Sequence, residues 1–178
     1  MDLLTAAIFR GKVMDQRAQF FGRLGQFQSG MLTTLSSDGA PHVRPMAVAR
    51  LDEDCSIWFL TQDSSEVVTE IRTDEIGTVS FQRDPDLYVV VNGFVHIVHD
   101  IRVAKQLWQE SLRTWFPEGL DDKTMSVMKL EPHSGEYWEN AGASRLRSAY
   151  EFVRSTVTGS DTVIPTGGQH VKAMLIGV

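Results

Sequence analysis

The chain has 178 residues, 42% apolar and 22% charged, with no low-complexity tract; this supports one domain over residues 1–178 with its own core and excludes extended disorder. Against 23 acidic residues stand 17 basic ones, a net charge of −6, without the basic run that neutralises a phosphate backbone, which excludes nucleic acid as a partner. The lone Cys55 leaves no internal disulfide, no apolar run reaches membrane-spanning length, and Met1-Asp2-Leu3-Leu4 lacks the features of a secretory leader, so the expected compartment is the cytoplasm.

Apolar side chains at Met14, Phe20, Phe21, Leu24 and Phe27 predict an amphipathic helix between Val13 and Phe27, stopped at Gln28-Ser29-Gly30. Gly30 to Leu35 and Pro41 to Met46 read as two strands joined at Ser37-Asp38-Gly39, with a third, Ile57 to Thr61, after the turn Leu51-Asp52-Glu53-Asp54. Alternation along the second strand puts His42, Arg44 and Met46 on one side and Val43 and Pro45 on the other. Asp63-Ser64-Ser65 offers capping side chains ahead of a short helix from Glu66 to Arg72, whose apolar stripe is Val67, Val68 and Ile71.

Glu75 to Gln82 and Leu87 to His99 read as strands divided by Asp84-Pro85-Asp86. Within the second, Asn92-Gly93 is a strong local signal for a hairpin turn. From Asp100 the period becomes helical, with Val103, Ala104, Leu107, Trp108, Ser111 and Leu112 on one face and Trp115-Phe116-Pro117-Glu118-Gly119 as the stop. Met125 to Trp138 returns to strand, interrupted at Pro132-His133-Ser134-Gly135, and Arg145 to Val157 reads as helix. Residues 158–178, rich in Gly, Thr and Ser, are expected as a tail lying across the surface or partly without order. Strands and helices mix without regular alternation, which predicts an α+β fold with a mainly antiparallel barrel.

The sequence contains no Gly-x-Gly-x-x-Gly, Gly-x-x-x-x-Gly-Lys, Gly-x-Ser-x-Gly or His-Glu-x-x-His, which removes the dinucleotide, phosphate-loop, hydrolase-elbow and zinc-protease readings. His96 and His99 stand three apart on a strand and so face opposite ways, which argues against a shared metal ion; no metal is expected.

Gly30-Met31-Leu32-Thr33-Thr34 through Asp38-Gly39, then His42-Val43-Arg44-Pro45-Met46, Trp58-Phe59-Leu60-Thr61 and Tyr88-Val89-Val90-Val91-Asn92-Gly93 resemble, in that order, the pyridoxamine 5'-phosphate oxidase-like split β-barrels. Within these the chain is most similar to the general stress protein group. Trp115-Phe116-Pro117-Glu118-Gly119 and Glu136-Tyr137-Trp138 extend the resemblance to about residue 140. It implies a split β-barrel with peripheral helices that holds FMN, with FAD as the alternative, between the subunits of a homodimer. It also implies a flavin-dependent oxidoreductase acting on a small molecule that the sequence does not identify. Flavin carries the electron transfer, so no dedicated acid or base is required and no catalytic residue is assigned.

Carried over position by position, Arg44 would face the flavin phosphate or ribityl chain, and Pro45 and Met46 would lie against the ring. Thr61, Gln62 and Ser65 would seat the phosphate at the start of the short helix. Tyr88 would approach the cofactor from the next barrel strand, and Trp115 and Trp138 would come from the partner. The analogy also prefers one long strand through Asn92-Gly93, with Gly93 at a bend. The chain departs from the pattern at Glu66 and Val67, which stand where the family carries two basic residues; Arg72, Arg145 and Arg147 are the candidate substitutes. The competing expectations are a dimeric barrel that has lost flavin and serves as a non-catalytic binding or stress-associated protein, or one that holds a deazaflavin or haem.

Overall fold

Ser36-Ser37-Asp38-Gly39 closes a hairpin by its own chemistry. Gly39 adopts φ +80°, and the Asp38 carboxylate accepts hydrogen bonds from the Ser36 hydroxyl at 2.5 Å and the Ala40 N–H at 3.1 Å. The strands it joins, β1 (Ser29–Leu35) and β2 (Pro41–Ala47), pair antiparallel with Met31 opposite Pro45 and Leu32 opposite Arg44. In the computed structural model, which describes residues 16–83, 87–140 and 168–175, this hairpin forms one end of an antiparallel sheet. The other strands are β3 (Arg50–Leu51), β4 (Ile57–Gln62), β5 (Ile76–Arg83), β6 (Leu87–Val98), β7 (Met125–Asn140) and β8 (Gly168–Met174).

The sheet runs β2-β1-β5-β6-β7-β4-β3 and curls into a half-barrel, the α+β split barrel expected from the sequence. The 16-residue β7 holds it together. One of its edges pairs with β6, and the other is shared by β4, along Met125 to Leu130, and β8, along Ser134 to Asn140.

Three α-helices pack on this frame: α1 over residues 16–24, α2 (Glu66–Thr73) and α3 (Ile101–Leu107). The concave side buries Phe20 and Leu24 of α1 and Val67, Val68 and Ile71 of α2 against Leu32, Phe59, Val91, Met128 and Leu130 of the sheet. A smaller cluster, Trp58, Ala104, Leu107 and Val127, fixes α3 to the opposite side of β4 and β7.

Four sequence expectations change. The strand at Pro132-His133-Ser134-Gly135 does not break, because the register shift between Asn92 and Gly93 leaves His133 as an extra residue on β7. Such a bulge tolerates a proline that cannot donate to the ladder, while Gly135 leaves the space that the Phe20 ring fills. The local turn signal at Asn92-Gly93 is not realised: β6 is one strand through it, as the resemblance implied, with a register shift between Asn92 and Gly93. Helix α3 ends at Leu107, and its face does not continue to Ser111 and Leu112: Trp108 is extended, and a separate 3-10 turn follows at Glu110–Thr114. The last segment is not wholly a surface tail, since Gly168–Met174 adds a strand to β7 and buries Ala173. The helix expected over 145–157 lies outside the described residues.

Candidate functional site

Helix α2 is driven into the half-barrel by Val67, Val68 and Ile71, and Glu70, one turn beyond Val67, is carried inward on the same side. It meets the inward row of β2. Glu70 Oε2 accepts hydrogen bonds from Arg44 Nη2 at 2.6 Å and from the Thr34 hydroxyl at 2.5 Å, and Arg44 Nη1 donates to Thr34 Oγ1 at 2.5 Å. Its other oxygen lies 2.6 Å from His42 Nδ1. The Glu70 side chain is 8% exposed and that of Arg44 17%, so this is an enclosed ionic network. Burial works against ionisation of Glu70, but hydrogen bonds from Thr34, His42 and Arg44, with the Arg44 charge, outweigh it and hold the carboxyl below its ordinary value.

A polar groove of about 430 Å³ opens beside this network, lined by Ser36, His42, Ser64, Glu66, Thr69 and Glu70 among others. No lysine or arginine lines it among the described residues. Glu66, 83% exposed, stands 4.0 Å from His42. At the entrance of α2 the Thr61 and Ser65 hydroxyls pair at 3.2 Å, and Ser65 makes no side-chain bond to the helix it precedes. Gln62 is exposed at the end of β4. Arg72 is engaged by Asp63 at 2.8 Å, and Val67 is core, so a cation at that position would be buried and not aimed at a ligand. Arg145 and Arg147 lie outside the described residues.

The opposite face of the same strands carries a second, larger groove of about 550 Å³, whose walls include Met31, Pro45, Phe81, Tyr88, Val90 and Trp138. Cross-strand register assembles it: Met31 lies opposite Pro45 and Ser80, and Tyr88 lies opposite Trp138. Residues directly opposite in an antiparallel pair share a face, so Pro45, Tyr88 and Trp138 converge here; Trp138, expected from a partner subunit, lines the groove of its own chain. Trp138 stacks on His170 of β8, with ring centroids 4.9 Å apart and planes 5° from parallel. The nine predicted site residues therefore do not form one cluster within a chain. Pro45, Tyr88 and Trp138 share this groove; Arg44 sits in the ionic network; Thr61, Gln62 and Ser65 sit at the β4–α2 corner. Met46 packs against the core, and Trp115, 69% exposed, stands apart at the end of a 3-10 turn.

Glu70, Thr34 and His42 were not singled out as site residues. Glu70 lies on the same helical face as the apolar stripe, and His42 and Thr34, opposite each other in the β1–β2 register, stand next to the Leu32–Arg44 pair. Those two placements were the available signals.

The family model described as pyridoxamine 5'-phosphate oxidase like matches residues 15–162. The chain belongs to that family. No curated protein matches the sequence. Among solved structures of similar fold, a general stress protein 26 candidate from Jannaschia sp. CCS1 is 24% identical, with a TM-score of 0.66 over 91% of this chain and 99% of that one. General stress protein 26 of Bacillus anthracis str. Sterne is 24% identical, with a TM-score of 0.60 over 67% of this chain and 92% of the other. A heme binding protein from Mycobacterium smegmatis is 12% identical, with a TM-score of 0.60 over 89% of this chain and 57% of that one. At these identities the likeness is one of fold. For the flavin that the family implies, the residues present fit in part: the Pro45, Tyr88 and Trp138 groove offers flat apolar walls for a ring. The phosphate seat expected at Arg44 and α2 does not fit, because Glu70 engages the guanidinium and two carboxylates line the groove. No helix among the described residues is long and apolar enough to cross a membrane.

Proposed function

We propose that this member of the family binds the ring of a flavin, FMN or FAD in type but without a phosphate anchor, and serves as a flavin-dependent oxidoreductase for a small molecule. The observation that carries the reading is the groove on the outward face of β1, β2, β5, β6 and β7, where Pro45, Tyr88 and Trp138 meet. A planar conjugated ring gains most from flat apolar and aromatic walls. A bound flavin would supply the electron transfer. The chain's own residues would bind and orient the ring and limit its contact with water. The residues that contact a substrate are not assigned.

The same face exposes Met31, Val43 and Trp138, while α3 covers it at Trp58 and Val127. We assign a second copy of the chain as its cover, so that the groove is completed across a homodimer and Trp115 reaches a neighbouring subunit's groove. A second reading, a barrel that has lost flavin and binds another ligand, is favoured by one specific observation, the closed Arg44–Glu70 pair.

Fluorescence titration of riboflavin, FMN, FAD and haemin with the purified protein separates the two. Saturable quenching of riboflavin is expected, and Trp138→Ala should weaken it roughly three- to tenfold, the worth of one aromatic contact. No saturable binding of any flavin overturns the oxidoreductase reading; haemin binding alone would replace it.

A further inference from the structure

Register lines up one residue from each of four strands across the outward face of the sheet. Gln82 of β5 stands opposite Tyr88 of β6, Tyr88 opposite Trp138 of β7, and Trp138 opposite His170 of β8. Directly paired residues share a face, and Gln82, Tyr88 and Trp138 all line the groove of about 550 Å³. His170 does not line it; the imidazole lies flat against the indole and is held by Glu136 at 3.1 Å. One side of the indole is therefore covered, and a ligand can stack only on the other.

The row changes character from one end to the other. Trp138 offers an aromatic plate on the β7 side, whereas the β5 side offers the Gln82 amide and, two residues before it, the Ser80 hydroxyl. Among the described residues neither of these side chains makes a hydrogen bond, and no charged side chain lines the groove. Selection there must come from shape and from neutral hydrogen bonds. An amide presents a donor and an acceptor side by side, which matches a –CO–NH– edge: Gln82 Oε1 can accept from the ring N–H while Nε2 donates to the ring carbonyl.

We propose that Gln82 is the specificity-determining residue of this groove, pairing with the –CO–NH– edge of a planar ring stacked on Trp138. The chain then selects rings that carry such an edge over rings of the same shape without it. This rests on the ring-binding function proposed above and deepens it, since the pyrimidinedione edge of a flavin satisfies the amide and an alkylated edge leaves it unpaired.

Fluorescence titration of lumiflavin, and of lumiflavin methylated at its imide nitrogen, tests it. Both rings lack the ribityl chain and phosphate, and they differ only at the N–H offered to Gln82. The wild-type protein should bind lumiflavin about three- to tenfold more tightly, the worth of one neutral hydrogen bond. Gln82→Leu, at an exposed position, should bring the two within about twofold of each other by weakening lumiflavin alone. Trp138→Ala should weaken both alike, because it removes the plate and not the edge. Equal binding of the two rings by the wild type overturns the role of Gln82 and leaves the ring groove standing, as does a preference that survives in Gln82→Leu. If neither ring binds, the ring-binding function itself fails and the proposal falls with it. Should Gln82→Leu not fold, the wild-type ratio, which needs no variant, decides.

Discussion

Replacing Arg44 by methionine would remove the charge that answers Glu70 while preserving most of the side-chain length. The carboxylate would keep Thr34 and His42 as neighbours, at 2.5 and 2.6 Å, but would lose the guanidinium at 2.6 Å. Removing one partner of a buried ion pair costs about 3–5 kcal/mol, and the two surviving contacts place the expected loss near the lower bound, about 3 kcal/mol. For a domain of this size that corresponds to a fall in Tm of about 6–12 °C. Urea unfolding at neutral pH reads it directly. Removing both charges, in Arg44→Met with Glu70→Met, should recover most of the loss, since an apolar pair of similar volume commonly matches a buried ion pair. The cycle then isolates the coupling between the two residues. A single Arg44→Met variant that loses less than about 1 kcal/mol would refute the reasoning: such a loss suits a solvent-facing arginine available to a ligand.

Because Glu70 is held below its ordinary value of 4.5, the folded protein binds fewer protons there than the unfolded chain; the stability it contributes is complete above that value and lost as the pH falls below it toward the depressed folded value. Denaturant midpoints compared between wild type and Glu70→Gln on either side of pH 4.5 should show the wild type losing more on acidification; parallel curves would contradict the network. At Gly93 an added Cβ would lie 2.0 Å from the Glu131 carbonyl oxygen and 2.9 Å from its carbon, both backbone. Gly93→Ala should therefore cost about 1–3 kcal/mol or more by forcing β6 and β7 apart at the bulge, and thermal unfolding would measure it.

Much of the fold was legible because local chemistry and tertiary structure agree. Asp38-Gly39 makes the turn, Val67, Val68 and Ile71 make the buried stripe of α2, and the Asp100 side chain caps α3 through the Arg102 N–H at 2.8 Å. Where they disagree, a distant partner decided. The β7 strand survives Pro132 because the bulge at His133 removes the demand for a ladder bond, and Leu175, from the far end of the chain, donates to the His133 carbonyl at 3.0 Å. Of the site, strand alternation correctly divided Arg44 from Pro45, and from that division the two separate grooves follow. It did not reveal that Arg44 is claimed from within, because its partner lies on another element and glutamate in a helix ordinarily faces water. The paired hydroxyls of Thr61 and Ser65 were likewise hidden: a strand threonine and a capping serine each have an ordinary local use.

The network also explains how an edge strand of poor apolar character keeps its place. Inward from β2 point His42, Arg44 and Met46, of which only Met46 is apolar, and outward point Val43 and Pro45. Burial of apolar surface alone therefore specifies the register of β2 weakly, and a one-residue slip would turn the strand over. The slip would present Val43 and Pro45 to Glu70 and leave a carboxylate buried without a cation, at the several-kcal/mol cost that attends any unpaired buried charge. Glu70 thus opposes the slipped register more strongly than it stabilises the correct one. With the register held, Pro45 must stand opposite Met31 on the far face, so the wall of the ring groove is positioned by an ion pair on the other side of the sheet.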